Sequence, residues 1–175
     1  APGRLREHLA RKRALSGRTG CGVCGIDDLK DIPRAERRSA SGVTVGLTAV
    51  ERAVQALDDL QVLGRETRAV HAAAWAGLDG AVQAVREDVG RHNALDKLIG
   101  ALLRAGTRPD EGFLVITSRC SFEMVEKAAS FGAALLVAIS APTSLAVERA
   151  ALHGLTLAAI ARRDTVTLFT APERL

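Results

Sequence analysis

Three apolar runs, GFLVITS at 112–118, ALLVAIS at 134–140 and LTLAAIA at 155–161, constrain this chain more than any other feature. Each has the length and composition of a buried strand. A helix pattern separates each from the next. FEMVEKAA follows Ser121, a side chain suited to capping, with Glu123 in the first turn. TSLAVERAALHG follows Pro142, which stands at a helix-opening position. Strands joined through helices run parallel, with right-handed crossovers. VTLFT, reached through RRDT, closes a final hairpin with the third run. The class is therefore α/β, with parallel neighbours in the sheet.

The segment before residue 110 adds antiparallel pieces. Leu47, Val50, Val54, Leu57 and Leu60 recur at helical spacing, and Gly64 is placed to end that helix. Thr67 to Trp75 reads as a strand, GLDG at 77–80 as a tight turn, and Ala81 to Arg86 as the returning strand. Arg91 to Ala105 predicts a helix with a wide apolar face made by Ala94, Leu95, Leu98, Ile99, Leu102 and Leu103. Asp88 or Asn93 is expected to start it and Gly106 to stop it. Residues 1–16 form a candidate basic helix, and 17–44, rich in Gly, Ser, Asp and Arg, read as a mobile loop.

At 175 residues the chain suffices for one well-formed core. Aromatic residues make up only 3%, so Ala, Val and Leu must supply that core. No apolar run approaches the roughly 20 residues needed to cross a bilayer. No secretory signal is visible, and a start at Ala1 reads as a processed product or a piece of a longer protein. Arg4, Arg6, Arg11, Lys12, Arg13 and Arg18 face only Glu7 in the first 19 residues, whereas the whole chain carries +4. Such an arm suits phosphate or an acidic partner, or is simply a solvated surface. Nucleic-acid binding is disfavoured, because no aromatic interleaving or known motif accompanies the charge. Three cysteines are too few for a disulfide scaffold and fit a reduced, cytoplasmic setting.

Cys21 and Cys24 lie in GRTGCGVCG, between glycines and close to Arg18. Such a pair can form a disulfide, hold half a zinc site or carry sulfur. A thiolate is the reactive form, and Arg18 favours it electrostatically. Glycines let another protein's active site come close. Zinc would need further ligands, such as Cys120 and a histidine. His8, His71, His92 and His153 stand at no recognisable ligand spacing. A thioredoxin-like pair opens a helix after a strand, which these flanks do not resemble.

REDVGRHNALDKLIG at 86–100 is the densest polar stretch, placed where a strand yields to a helix. In α/β folds, sites gather at such strand ends. Arg91 with the N–H groups of the helix start suits a phosphate. Asp88 or Asp96 suits the N–H groups of a guanine, and His92 and Asn93 stand beside them. His71 opens HAAAW, whose alanines admit a ligand or a close strand. SRCSFEM, with Ser118, Arg119 and Ser121, and SAPTS, with Ser140, Thr143 and Ser144, each follow an apolar strand. Helix capping explains each hydroxyl singly. Their repetition at one sheet edge points to a common pocket.

CGVCG, HAAAW, REDVGRHNALDKLIG, SRCSFEMVEKAA and SAPTSLAVE occur in this order between about residues 17 and 170. Together they resemble the formate dehydrogenase accessory sulfurtransferases, the FdhD/NarQ family. The resemblance implies a cytidine-deaminase-like layered α/β domain over 45–175, with a mixed sheet and flanking helices. The basic arm and CxxC loop at 1–44 would precede it, without most of the family's further N-terminal region. It also implies a homodimer. A cysteine desulfurase would load Cys21 with persulfide sulfur, with Cys24 as its partner. The acceptor would be the molybdenum bis(molybdopterin guanine dinucleotide) of formate dehydrogenase, bound as substrate and without a catalytic metal. The family's cofactor-binding stretch falls on Ile160, Ala161, Arg162, Arg163, Asp164 and Thr165, with Ile160 where the family usually has Phe. The alternative is a non-catalytic chaperone that binds the cofactor's guanine nucleotide. A zinc deaminase is disfavoured: Ala73 stands at the Glu position after His71, and Gly20 precedes Cys21 where Pro is needed.

Overall fold

The computed structural model describes residues 42–175 apart from Arg163. The candidate helix at 1–16 and the CxxC loop, including Cys21 and Cys24, lie outside the described residues. The elements are α1 (Leu47–Leu60), α2 (Val62–Thr67), β1 (His71–Gly77), β2 (Val82–Asp88), α3 (Arg91–Ala105), β3 (Gly112–Ile116), α4 (Phe122–Phe131), β4 (Leu135–Ala138), α5 (Ser144–His153), β5 (Thr156–Ala159) and β6 (Thr167–Thr170).

The six strands form one sheet in the order β2-β1-β3-β4-β5-β6. β1 runs antiparallel to both β2 and β3. β3, β4 and β5 are mutually parallel, joined by α4 and α5, and β6 returns antiparallel to β5. The expected α/β class and mixed sheet are therefore present.

Strand alternation divides the core into two faces. Ala73, Trp75, Leu114, Ile116, Leu136, Ala138, Leu157 and Ala159 face α3, α4 and α5. From those helices come Leu95, Leu98, Leu102, Met124, Val125, Phe131, Ala146 and Ala150. Each buried Leu or Met contributes about 1.5–3 kcal/mol. Trp75 and Phe131 meet edge to face, with ring centroids 5.6 Å apart. Ala72, Ala74, Ala76, Phe113, Val115, Leu135, Val137 and Ala158 make the other face, against Val50, Ala53, Val54 and Leu57 of α1.

Several boundaries differ from expectation. Gly64 does not end α1; the helix breaks at Gln61, and Gly64 lies inside the short α2. Leu47 and Leu60 are exposed, and Ala49 and Ala53 take their place in the buried stripe. A small residue lets the helix sit close to the alanine-rich face of β1. β1 begins at His71 rather than Thr67, because α2 and a left-handed Arg68 occupy the intervening residues. Pro142 precedes the N-cap of α5 instead of opening the helix; Thr143 is the cap, accepting from Ala146 N–H at 3.2 Å. Ser121 holds the N-cap position of α4, but its side chain makes no capping bond.

The predicted turn at 77–80 closes with Gly80 N–H on Gly77 O at 2.8 Å. Gly80 has φ +81°, and a Cβ there would stand 2.2 Å from Ala49 O of α1. Gly80→Ala therefore meets both a left-handed backbone and a backbone collision. We expect it to lower unfolding free energy by about 2 kcal/mol or more, measured by urea denaturation. Wild-type stability would contradict this packing of α1 on the hairpin.

Candidate functional site

Strand direction decides which side chains meet. The parallel strands β3, β4 and β5 all end at one sheet edge. β1 is antiparallel to β3, so its first residues lie beside the end of β3. Ala72 N–H donates to Thr117 Oγ1 at 2.9 Å, and Thr117 N–H donates to Ala72 O at 3.0 Å. His71 pairs across the hairpin with Asp88, the last residue of β2. One edge therefore gathers His71, Asp88, the start of α3, and the loops at 117–121, 139–143 and 160–166. Of the candidate residues, His71, Asp88, Arg91, His92, Asn93, Ser118, Arg119, Ser140, Thr143, Ile160, Ala161, Arg162, Asp164 and Thr165 all fall there. Cys21, Cys24 and Arg163 lie outside the described residues.

The loops interlock through their backbones. Cys120 N–H donates to Ala141 O at 3.2 Å, and Thr143 N–H returns to Cys120 O at 3.0 Å. Ile160 N–H reaches Ser140 O at 3.3 Å. Arg162 Nη1 donates to Ile139 O at 2.8 Å and to Ala161 O at 2.9 Å, and its backbone N–H donates to Thr165 O at 2.7 Å. Ser118 is buried, and its hydroxyl donates to Arg119 O at 3.1 Å. Ile160 is β-branched yet holds φ +53°, with its side chain 39% exposed. A conformation of that kind costs on the order of 1–3 kcal/mol, and such residues cluster at functional sites.

The turn into α3 is built by carboxylates. Asp88 Oδ1 accepts from Gly90 N–H at 2.9 Å and from Asn93 Nδ2 at 3.2 Å; Oδ2 pairs with Lys97 Nζ at 2.5 Å. Gly90 is the N-cap, and Asp88 organises the start from two residues earlier. Lys97 first, then Gly90 N–H and Asn93, hold the Asp88 carboxyl down at about 2 from 3.8. Asp96 pairs with Lys127 Nζ of α4 at 2.6 and 2.7 Å. Both carboxylates considered for guanine thus already have lysine partners.

One turn before that Asp96–Lys127 rung stand His92 and Glu123. His92 is 5% exposed, and neither ring nitrogen has a hydrogen-bond partner. Burial first, then the Arg91 charge, holds its pKa below the usual histidine value. Arg91 Nε, Ser121 Oγ and Glu123 Oε2 are also buried and unpartnered. The starts of α3 and α4 therefore share a cluster of unsatisfied polar atoms.

Arginine pairing differs between the two edges, although Arg104 at the end of α3 also has no partner among the described residues. At the opposite edge Arg52 pairs with Asp79, Arg108 with Asp110 and Glu111, and Arg174 with Glu173. At the candidate edge Arg91, Arg119 and Arg162 have no carboxylate partner among the described residues. Such an edge can hold an anion through guanidinium forks, helix-start N–H groups and hydroxyls.

Cys120 is completely buried, and burial, with Glu123 adding to it, pushes its thiol up to about 12. It is poorly suited to ligate zinc or to react. Among the described residues, no group of three or more His, Cys, Asp or Glu side chains is arranged to hold a metal. No helix there is long and apolar enough to cross a membrane.

The family model of the FdhD/NarQ family matches residues 3–175. The chain belongs to that family. It is 49% identical over 166 residues to "Sulfur carrier protein FdhD" of Variovorax paradoxus, covering 95% of this chain and 60% of that protein. It is 50% identical over 165 residues to the protein of the same name from Xanthomonas campestris pv. campestris, covering 94% and 59%. The chain thus spans about three-fifths of the length of these curated relatives. Among solved structures it resembles a putative formate dehydrogenase accessory protein from Desulfotalea psychrophila. The TM-score is 0.71 and the identity 29%, over 82% of this chain and 58% of that one.

Thr117 and Glu87 complete the edge and carry little sequence signal of their roles. Thr117 reads as one more strand residue in VITS. Glu87 Oε2 and Oε1 accept the N–H groups of Leu63 at 3.0 Å and Gly64 at 2.7 Å, an engagement with α2 that no local pattern announces.

Two outcomes follow from these environments. A carboxyl held down stabilises the fold above its ordinary value, and that contribution fades as pH falls through about 2. Lys97→Met should raise the Asp88 midpoint toward 3.8 in an NMR titration; an unmoved midpoint would contradict the Lys97 contribution. In the native protein at pH 8, Cys120 should resist iodoacetamide and become labelled only on denaturation. Peptide mass mapping reads this directly, and fast native labelling would refute the buried thiol.

Proposed function

We propose that this chain is a sulfur carrier of the persulfide type serving formate dehydrogenase. The observation that carries the reading is the gathering of HAAAW, GRHN, SRCS and SAPT at one sheet edge, where the arginines lack carboxylate partners. The names of the relatives support it independently. On this reading Cys21 thiolate attacks the outer sulfur of a cysteine desulfurase persulfide. The new S–S bond forms on Cys21 as the bond to the donor breaks, and the donor cysteine leaves as thiolate. The sulfane sulfur then passes to the molybdenum of the bis(molybdopterin guanine dinucleotide), bound as substrate. A reduced metal centre supplies two electrons, takes the sulfur as a sulfide ligand and leaves Cys21 as thiolate. Cys24 is the partner thiol.

Arg91, Arg119 and Arg162 would meet the cofactor's phosphates, with the α3 start and the hydroxyls of Ser118, Ser140 and Thr143 beside them. His71, Ile160, Ala161, Arg163, Asp164 and Thr165 would line the nucleotide. The neutral His92 ring and the Asp88–Asn93 turn would hold that surface in shape. The chain would work as a cytoplasmic homodimer, in contact with the desulfurase and the dehydrogenase.

A second reading is a chaperone that binds the cofactor without handling sulfur. The unpaired arginines favour it equally, because they need no cysteine. Incubation with a cysteine desulfurase and cysteine, followed by intact mass, separates the two. The wild-type chain should gain the mass of a sulfur atom, and the Cys21→Ala, Cys24→Ala double variant should not. Formate dehydrogenase activation by the double variant would establish the chaperone reading instead.

A further inference from the structure

We propose that His92 and Glu123 form a proton-operated latch between the starts of α3 and α4, open while the imidazole is neutral and closed by an imidazolium–carboxylate hydrogen bond when the ring takes up a proton. β2 and β3 both run antiparallel to β1, so they end at the same sheet edge, and the helices that follow them start side by side. Lys127 Nζ of α4 joins Asp96 of α3 at 2.6 and 2.7 Å. His92 lies four residues before Asp96, and Glu123 four residues before Lys127. Residues four apart share a helix face, so the register that makes one rung also aligns the one before it. That earlier rung again sets a base against an acid, now with the base on α3. It differs in burial: Asp96 is 54% exposed and His92 only 5%.

In the neutral state the rung is open. Neither ring nitrogen of His92, nor Glu123 Oε2, has a hydrogen-bond partner among the described residues, and all three atoms are buried. Stability alone favours an apolar side chain at 92, on the face that carries Leu95 and Leu98. Imidazole is the side chain whose charge changes in the physiological range. Burial first, then Arg91, keeps this ring neutral; Glu123 is the foremost influence favouring the cation, and Lys127 and Asp96 follow with opposite signs. Asp96 and Lys127 already satisfy each other. Cys120, its thiol pushed up to about 12, stays uncharged beside them. Glu123 is therefore the carboxylate left to receive the imidazolium N–H. Closure needs only side-chain rotation, because the Asp96–Lys127 rung has already set the backbone register. The His92 value lies below the ordinary one, so the fold loses stability as pH falls through the His92 midpoint, and the closed latch limits that loss. Acidification thus ties the two helix starts together while it weakens the fold as a whole.

The test is an NMR titration of the His92 ring in the full chain, with amide hydrogen exchange measured on both sides of its midpoint. Glu123→Gln should move the midpoint to lower pH. Glu123→Asp keeps the charge and shortens the reach by one methylene, so the midpoint should fall there too; a charge acting only at a distance would leave it in place. Lys127→Met should move it the other way. On acidification, exchange at the starts of α3 and α4 should slow relative to the rest of those helices, after correction for the intrinsic pH dependence. That slowing should vanish in Glu123→Gln and in His92→Gln. An unmoved midpoint in Glu123→Gln, wild-type titration of Glu123→Asp, or slowing that persists in His92→Gln overturns the latch. A wild-type ring that stays neutral until the chain unfolds overturns it as well.

Discussion

β1 runs antiparallel to both of its neighbours, and the arrangement of the site depends on that one choice of direction. With β3, β4 and β5 parallel, their ends share an edge. A parallel β1 would have sent His71 to the far side and left only three loops together. Reversed, β1 begins where β3 ends, and its hairpin partner β2 finishes there too. The two hydrogen bonds between Ala72 and Thr117 fix this register at the edge itself. A slip of one residue would exchange the two faces of β1 and separate His71 from Asp88.

The alanines of β1 make that central position possible. Ala72, Ala74 and Ala76 face α1, and Ala73 faces α3 with Trp75. A strand buried on both faces usually carries large β-branched residues. Here small side chains let α1 approach closely, as the contact of Gly80 with Ala49 also shows. Trp75 supplies on one face the volume that the alanines give up. The scarcity of aromatic residues is thus concentrated where close approach matters, and two of the few, Trp75 and Phe131, pack against each other.

The parallel half of the fold was legible in the sequence because each of its strands is a continuous apolar run between helix signals. α3 was legible through Ala94, Leu95, Leu98 and Leu102 and Gly106, although Leu103, expected on the same face, is exposed and His92 is buried instead. Boundaries were less so, for definite reasons. Thr67 to Val70 has strand-like composition, but the tie between Glu87 and the α2 N–H groups bends it into a helix and a left-handed turn. Leu47 and Leu60 fit the helical period, yet the close approach of α1 turns its alanine side inward. Ser121 stands in a capping position whose hydroxyl remains unpartnered. Of the edge, the sequence exposed residue types and their repetition after strands. It could not expose which arginines lack partners, since pairing depends on positions far apart in the chain. Asp88 is the instructive case: its neighbours in sequence suggest a ligand contact, whereas Lys97, Asn93 and Gly90 use it to shape the turn.

Several departures from local rules fall at this same edge, beside others at Trp75, His153 and Ala171. Arg68 and Ile160 hold left-handed backbone without being glycine. Arg91, His92, Ser121 and Glu123 bury polar atoms without partners, at roughly 1–3 kcal/mol for each such group. At the opposite edge Arg52, Arg108 and Arg174 have carboxylate partners and Gly80, Gly106 and Gly154 take left-handed turns, although Arg104 has no partner among the described residues and Ala171 holds φ +45°. Stability alone offers no reason for a buried, unpartnered histidine at 92, where a leucine would relieve a local cost. Inconsistency between local rules and the fold is commonest at functional sites. The unsatisfied groups lie at the starts of α3 and α4, where the N–H ends of two helices already favour negative charge. Helix ends and the guanidinium groups of Arg91, Arg119 and Arg162 favour negative charge at this edge, and the buried Glu123 carboxylate beside His92 is the acidic group they must outweigh to hold a multiply charged anion.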